Sequence, residues 1–324
     1  MKARLQKYWF LFGLFFLALI TLADTSGTIA SAGSWVGARH GPQILISLIF
    51  LLSGLSLQAE QIRQGVSDLA TVGVAVVMIF AFAPVVASLT SLIPLAPGVR
   101  IGLYITAVMP TTLSSGVVMT GAAGGNIANA LMITILANIL GIFTIPCSLQ
   151  VLIGSGSGSE TFAIDKAALM LQIASLVIGP LLLGLAVRRP ILPVLRRLRI
   201  TPAVVNQVLV LTMVWIALSG SRSTIVSSMH LLGAIVLLVF AFHAALLAGT
   251  FLMSRLFHFG PGRREAVVFM GGQKTLPLSM LVQMTLFPQY GEALVVCVLH
   301  HIVHLMMDGY LVGRLAASRF SDSR

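Results

Sequence analysis

The stretch Met270-Gly271-Gly272-Gln273-Lys274-Thr275-Leu276-Pro277-Leu278-Ser279 sets a lysine inside an apolar segment and flanks it with residues that open helices. Counted from Arg264, Lys274 lies about 15 Å along a helix, near the middle of a bilayer. An ammonium at that depth costs at least ~2.5 kcal/mol unless it faces a polar cavity or a partner. Gly271, Gly272 and Pro277 let the helix unwind there, offering backbone carbonyls and helix-end dipoles beside the charge. A structural counter-ion is the plain alternative for Lys274.

A second stretch repeats the theme. Met109-Pro110-Thr111-Thr112-Leu113-Ser114-Ser115-Gly116 places four hydroxyl residues directly after a proline, and Gly124-Gly125-Asn126 follows. Pro110 removes a backbone donor and blocks the preceding turn, and Thr111, Thr112, Ser114 and Ser115 offer little to lipid. The pattern predicts a broken helix facing a cavity; an ordinary proline kink whose hydroxyls bond back to nearby carbonyls is the other reading.

Both stretches are embedded in a chain made for lipid. Of 324 residues, 20 are Lys or Arg and 9 are Asp or Glu, and 57% are apolar. The mean hydropathy is +1.01. A soluble domain carries roughly 25% charge, so the surplus of apolar side chains must face a membrane. The net charge of +11 is no sign of nucleic acid, because the Lys and Arg sit between apolar runs instead of on one face. Cys147 and Cys297 each lie in an apolar run and make neither a disulfide framework nor a metal motif. Lys2, Arg4 and Lys7 before an apolar stretch imitate a signal peptide, but the many later spans make that stretch a first transmembrane helix.

Apolar segments bounded by Pro, Gly or charge fall near 8–23, 42–57, 69–93, 100–120, 126–153, 166–188, 203–220, 230–257, 265–286 and 291–317. The expectation is an all-α integral membrane protein of ten transmembrane helices forming a single transmembrane domain over residues 1–324. Gly154-Ser155-Gly156-Ser157-Gly158-Ser159 has a flexible linker composition and divides the ten into repeat one, 1–153, and repeat two, 160–317. An odd number of spans per half makes any repeat inverted across the membrane. With the N-terminus inside, 15 Lys and Arg fall on the cytoplasmic side, while Arg39, Arg100, Lys166 and Arg222 fall on the other. This positive-inside bias predicts cytoplasmic termini.

The two interrupted segments, with the ten-span layout and Phe50-Leu51-Leu52-Ser53-Gly54-Leu55-Ser56-Leu57, resemble the bile acid:sodium symporter family, in its branch of bacterial sodium-dependent-transporter-like proteins. The resemblance covers nearly the whole chain. It implies a panel of helices 1, 2, 6 and 7, a core of helices 3 to 5 and 8 to 10, and broken helices 4 and 9 crossing near the substrate and ion sites. It also implies a secondary transporter of the bacterial inner membrane that moves a small organic anion by alternating access. The implied substrate- and ion-binding residues are Pro110, Thr112, Ser114, Ser115, Asn126, Thr134, Gln273, Lys274 and Thr275.

The match to the family's ion ligands is incomplete. Gly116 stands where sodium-binding relatives have an asparagine, Ala130 replaces a hydroxyl, and Phe269 replaces the acidic residue four positions before the glutamine. Na⁺ is a hard cation that needs several oxygen ligands, and a site that loses its carboxylate and gains an ammonium binds it poorly. No cofactor is expected, sodium coupling is disfavoured, and proton coupling or no coupling stays open. Lys274 can supply the charge that sodium supplies elsewhere. The midplane cation and helix N-termini favour an anionic substrate.

The tenth segment carries His300, His301, His304 and Asp308. Positions 300, 304 and 308 share one helix face, which suits either a metal or proton relay or a hydrogen-bonded packing stripe. A metal-ion or proton-linked membrane protein centred on His300, His304 and Asp308 is therefore the alternative function. An enzyme is not expected, since Ser114, Ser115 and the histidines form no nucleophile-and-base motif. The expected partners are a small molecule and membrane lipid; oligomeric state has no sequence signal.

Overall fold

A computed structural model of the chain describes residues 2–57, 68–154 and 164–322. Among them every regular element is helical: α1 (Lys2–Leu22), α2 (Thr28–Gly37), α3 (Gly41–Ser56), α4 (Leu69–Leu92), α5 (Pro97–Val108), α6 (Ser115–Ala122), α7 (Ile127–Gly154), α8 (Lys166–Arg197), α9 (Pro202–Gly220), α10 (Arg222–Ser227), α11 (Met229–Leu256), α12 (Arg263–Gly272), α13 (Leu276–Leu286) and α14 (Gly291–Asp322). The Gly/Ser linker lies outside the described residues beyond Gly154.

Helices α4, α7, α8, α9, α11 and α14 are each long and apolar enough to cross a membrane. The other four predicted segments are also helical but do not form single long spans among the described residues. α1 offers a shorter apolar stretch, Phe12–Leu22, and α3 passes only together with α2, which bends from it by 72°. The fourth segment is split into α5 and α6 around Met109–Ser114, and the ninth into α12 and α13 around Gln273–Thr275. α2 lies where the apolar pattern suggested only a connection; Asp24 Oδ2 anchors it by accepting from the amides of Ile29 and Ala30 at 2.8 and 3.0 Å. α8 continues as helix past the predicted end at 188, through Pro190 and Pro193 to Arg197.

Side-chain caps set several starts. Asp68 accepts from Thr71 N–H ahead of α4, Asp165 from Ala168 N–H ahead of α8, and Asn126 from the amides of Ala128 and Asn129 ahead of α7. Large apolar side chains stand exposed along the outside, including Phe16, Leu19, Leu171 and Leu237, in the amount expected of a surface that meets lipid. The chain is thus an all-α integral membrane protein.

Helices α1, α2, α3, α8 and α9 pack mainly on one another, and α4 to α7 pack mainly with α11 to α14. Within the first group, α3 and α8 touch backbone to backbone. A methyl at Gly54 would come within 2.1 Å of the Leu181 carbonyl oxygen, and one at Gly184 within 2.1 Å of that of Leu51. Within the second group the broken helices form the interior: α12 from Glu265 to Gly272 and α13 from Leu276 to Gln283 are buried at every position.

Candidate functional site

The two interruptions meet. Met109 leaves α5 in an extended conformation and Gln273 leaves α12 in another, so both chains expose backbone groups at the same depth. The Thr275 amide donates to the Pro110 carbonyl at 3.0 Å, stitching one break to the other. Pro110 frees its preceding turn, and Pro277 starts α13 where a missing amide costs nothing.

Lys274 is 1% exposed. Its Nζ donates to the carbonyls of Ile79 at 2.8 Å, Ala107 at 2.8 Å and Met109 at 3.0 Å. Three acceptors use all three N–H groups of an ammonium. Two of them lie where α5 ends. The third lies in a π-helical turn of α4, Met78–Phe82, whose wider spacing interrupts the regular ladder. Asp308 is not the partner of Lys274.

Gln273 takes a different set of partners. Its Oε1 accepts from Thr112 Oγ1 at 2.7 Å and Ser115 Oγ at 3.0 Å, and its Nε2 donates to Asp308 Oδ2 at 2.8 Å. Thr112 also accepts from the Gly116 amide at 2.9 Å, tightening the start of α6. The other oxygen of Asp308 lies 3.0 Å from His243 Nε2, and both side chains are fully buried. A polar chain therefore runs from the hydroxyls after Pro110, through Gln273, to a carboxylate and an imidazole on α14 and α11.

A cavity of about 90 Å³ opens between the two helix groups at this level. Phe10 of α1, Ser53 of α3 and Asn206 of α9 wall one side; Thr112, Ser114 and Ser115, with Thr275 to Pro277 and His301, wall the other. A second cavity of about 180 Å³ shares Ser53, Leu113, Ser114 and Asn206 with it and runs on toward Leu57, Ile127 and Pro202. The starts of α6 and α13 both lie in the wall of the first cavity and bring two positive dipole ends to it, although the Gly116 amide is taken by Thr112 Oγ1 and Pro277 has none.

Of the sequence-derived site residues, Pro110, Thr112, Ser114, Ser115, Gln273, Lys274 and Thr275 come together at the crossing. Asn126 and Thr134 do not line either cavity. Asn126 caps α7, and its amide donates to Gly262 O at 2.9 Å; Thr134 is buried and turned back to Ala130 O at 2.8 Å. Among the described residues no group of three His, Cys, Asp or Glu side chains is placed to hold a metal. His300 and His304 lie near His243, with ring centroids 5.4 to 5.7 Å apart, while Asp308 is occupied by His243 and Gln273.

Sequence reasoning missed several groups here. Asn206, whose Nδ2 donates to Ser53 Oγ at 3.3 Å, carried the usable signal of an Asn-Gln pair, with Gln207, in an apolar span. The carbonyls of Ile79, Ala107 and Met109 carried none, because every residue type has one. His301 stands one position off the stripe of 300, 304 and 308, yet it is the histidine on the cavity wall.

A sequence model of the SBF-like CPA transporter family matches residues 8–317. A protein of Oryza sativa subsp. indica named probable sodium/metabolite cotransporter BASS4, chloroplastic, is 32% identical over 282 residues, which cover 82% of this chain and 66% of the relative. The Arabidopsis thaliana protein of the same name is 32% identical over 279 residues, covering 82% and 63%. Sodium/bile acid cotransporter 7 of Xenopus tropicalis is 27% identical over 328 residues, covering 95% and 92%. The chain spans a little under two thirds of the length of the plant relatives it matches.

Proposed function

The chain belongs to the SBF-like CPA transporter family, kin of the bile acid:sodium symporters, and from that premise we propose that it is a secondary transporter moving a small organic anion by alternating access without sodium coupling. The observation that carries this reading is the pair of helix starts, at Ser115 and Leu276, in the wall of one cavity whose crossing is pinned by a fixed ammonium. Dipole ends attract the anion, and a cavity between two helix groups can open to either side as they rock.

In this reading the ten predicted segments are the membrane-crossing units, arranged five plus five as an inverted repeat within one domain. α1, α3, α8 and α9 serve as the panel, and the helices around the crossing as the core. The termini are cytoplasmic and the membrane is the bacterial inner membrane, as the positive-inside bias favours. Sodium has no role because Lys274 already fills a three-carbonyl cage, and because Phe269, fully buried, stands where an acidic ligand is needed.

One observation favours a proton as the coupling ion. His301 on the cavity wall lies 4.6 Å, ring to ring, from His304; His304 lies 5.7 Å from His243, and His243 meets Asp308. Asp308 in turn accepts from Gln273, which holds Thr112 and Ser115. A proton arriving on this cluster would alter the grip on two cavity hydroxyls, which is the linkage that coupling requires.

Counterflow in proteoliposomes tests the reading with a panel of organic anions from short monocarboxylates to taurocholate, each under a sodium gradient, in choline, and under a pH gradient. Protein-dependent counterflow of at least one anion, equal in sodium and choline, is expected. Transport that vanishes in choline would overturn the sodium-free reading, and no counterflow across the panel would overturn the anion.

A further inference from the structure

The densest charge outside the crossing lies at the far end of α8. Arg188, Arg189, Arg196 and Arg197 sit on the helix and Arg199 directly after it, and no Asp or Glu occurs between Asp165 and Glu265. None of the three ion pairs among the described residues uses these guanidiniums. Positive-inside orientation does not require such a concentration on one element. Nor does it explain why the helix persists through two prolines to carry it.

The same end is amphipathic in a particular way. Ile191, Val194 and Leu198 stand 38%, 53% and 61% exposed among the arginines. Toward the other end of α8, Leu171, Leu182 and Leu183 are exposed as a lipid-facing stripe. The basic end therefore emerges where acyl chains give way to headgroups. A groove of about 530 Å³ runs beside it, lined by Arg188, Arg189 and Arg196 together with Leu185, Leu192 and Pro193. Guanidiniums bind phosphodiesters through two parallel hydrogen bonds, and apolar residues between them suit acyl chains. A nucleic acid would leave those apolar residues in water.

We propose that the basic end of α8 is a binding surface for anionic phospholipid of the bilayer, its phosphodiester groups held by Arg188, Arg189 and Arg196 and its acyl chains laid along Leu185 and Leu192. The pairs Arg188/Arg189 and Arg196/Arg197 are separated by about 12 Å along the helix, so two phosphates can be held at once. This surface is separate from the transport cavity and does not depend on what the cavity carries.

The test uses the purified full chain titrated with cardiolipin and, separately, with phosphatidylcholine, counting retained lipids by native mass spectrometry. Wild type is expected to retain cardiolipin over phosphatidylcholine by about tenfold or more. The triple variant Arg188→Gln/Arg189→Gln/Arg196→Gln is expected to lose that preference while melting normally in phosphatidylcholine. The control Arg255→Gln/Arg314→Gln, which removes two charges from other helices, is expected to keep it, as a match for the two-charge Arg196→Gln/Arg197→Gln variant, which is expected to weaken it. Equal retention of both lipids by wild type would overturn the proposal, as would an equal loss in the control. Displacement of cardiolipin by excess inorganic phosphate would reassign the arginines to a free anion and overturn it too. Should the triple variant fail to fold, Arg196→Gln/Arg197→Gln read by the same ratio decides.

Discussion

Three carbonyl oxygens converge on the Lys274 ammonium, and their loss of a donor decides what truncation does. Removing a buried charge relieves desolvation, which alone would make Lys274→Met neutral or stabilising. Against this stand three buried acceptors left without donors, each costing about 1–3 kcal/mol. The acceptors outweigh the relief, so Lys274→Met is expected to destabilise the protein by about 3 kcal/mol or more, read as a fall in melting temperature in detergent. An unchanged melting temperature would show that the carbonyls find other donors. At this scale the sequence was partly legible. The cost of a midplane lysine flagged Lys274, and proline and hydroxyls flagged Thr112 and Ser115. Its actual partners were hidden, because backbone carbonyls have no residue-type signature. Asn126, expected at the site for its chemistry, caps α7 from its position.

Among elements, the two broken helices were readable because Gly and Pro fall where a continuous helix cannot. α2 was not, since Gly27 and the polar spacing around it resemble a loop until Asp24 is seen to hold its first amides. The end of α8 was misplaced for the reverse reason: Pro190 and Pro193 read as stops, yet the helix tolerates both. The α3–α8 contact brings backbone against backbone, and Gly54→Val is expected to force the pair apart at a cost of about 1–3 kcal/mol. Intact folding and wild-type melting of this variant would count against the contact.

Asp68 joins α4 to α12 and α7. Its carboxylate accepts from Arg263 Nη2 at 2.7 Å and Nε at 2.8 Å, from Thr71 Oγ1 at 2.6 Å and from Asn129 Nδ2 at 2.9 Å. Partial burial pushes the Asp68 carboxyl up, but the hydrogen bonds from Thr71, Arg263 and Asn129 outweigh it and hold the group below the usual carboxylate value. A depressed folded value means stability that is complete above the unfolded value and lost as pH falls through the folded one. Asp68→Asn is therefore expected to lower stability at neutral pH by about 1 kcal/mol, given the half-exposed Arg263, with the gap to wild type closing in acid below pH ~4. A gap that widened in acid would contradict this assignment.

For the whole molecule, composition alone sufficed to place the chain in a membrane, and the proposed orientation rests on charge distribution. With Cys147→Ala as background, Ser157→Cys is expected to react with an impermeant maleimide in intact right-side-out cells; reaction only after the membrane is opened would reverse the orientation. The sodium question gathers the residue and element levels into one property. The proposal that Na⁺ has no role rests on an ammonium seated among carbonyls, a fully buried phenylalanine at position 269 and an aspartate committed to His243 and Gln273. The most direct measurement is the melting temperature of the purified wild-type protein as sodium chloride replaces choline chloride at constant ionic strength, up to physiological sodium. A flat response is expected, whereas a saturable rise following the logarithmic dependence of a ligand bound to the native state would contradict it.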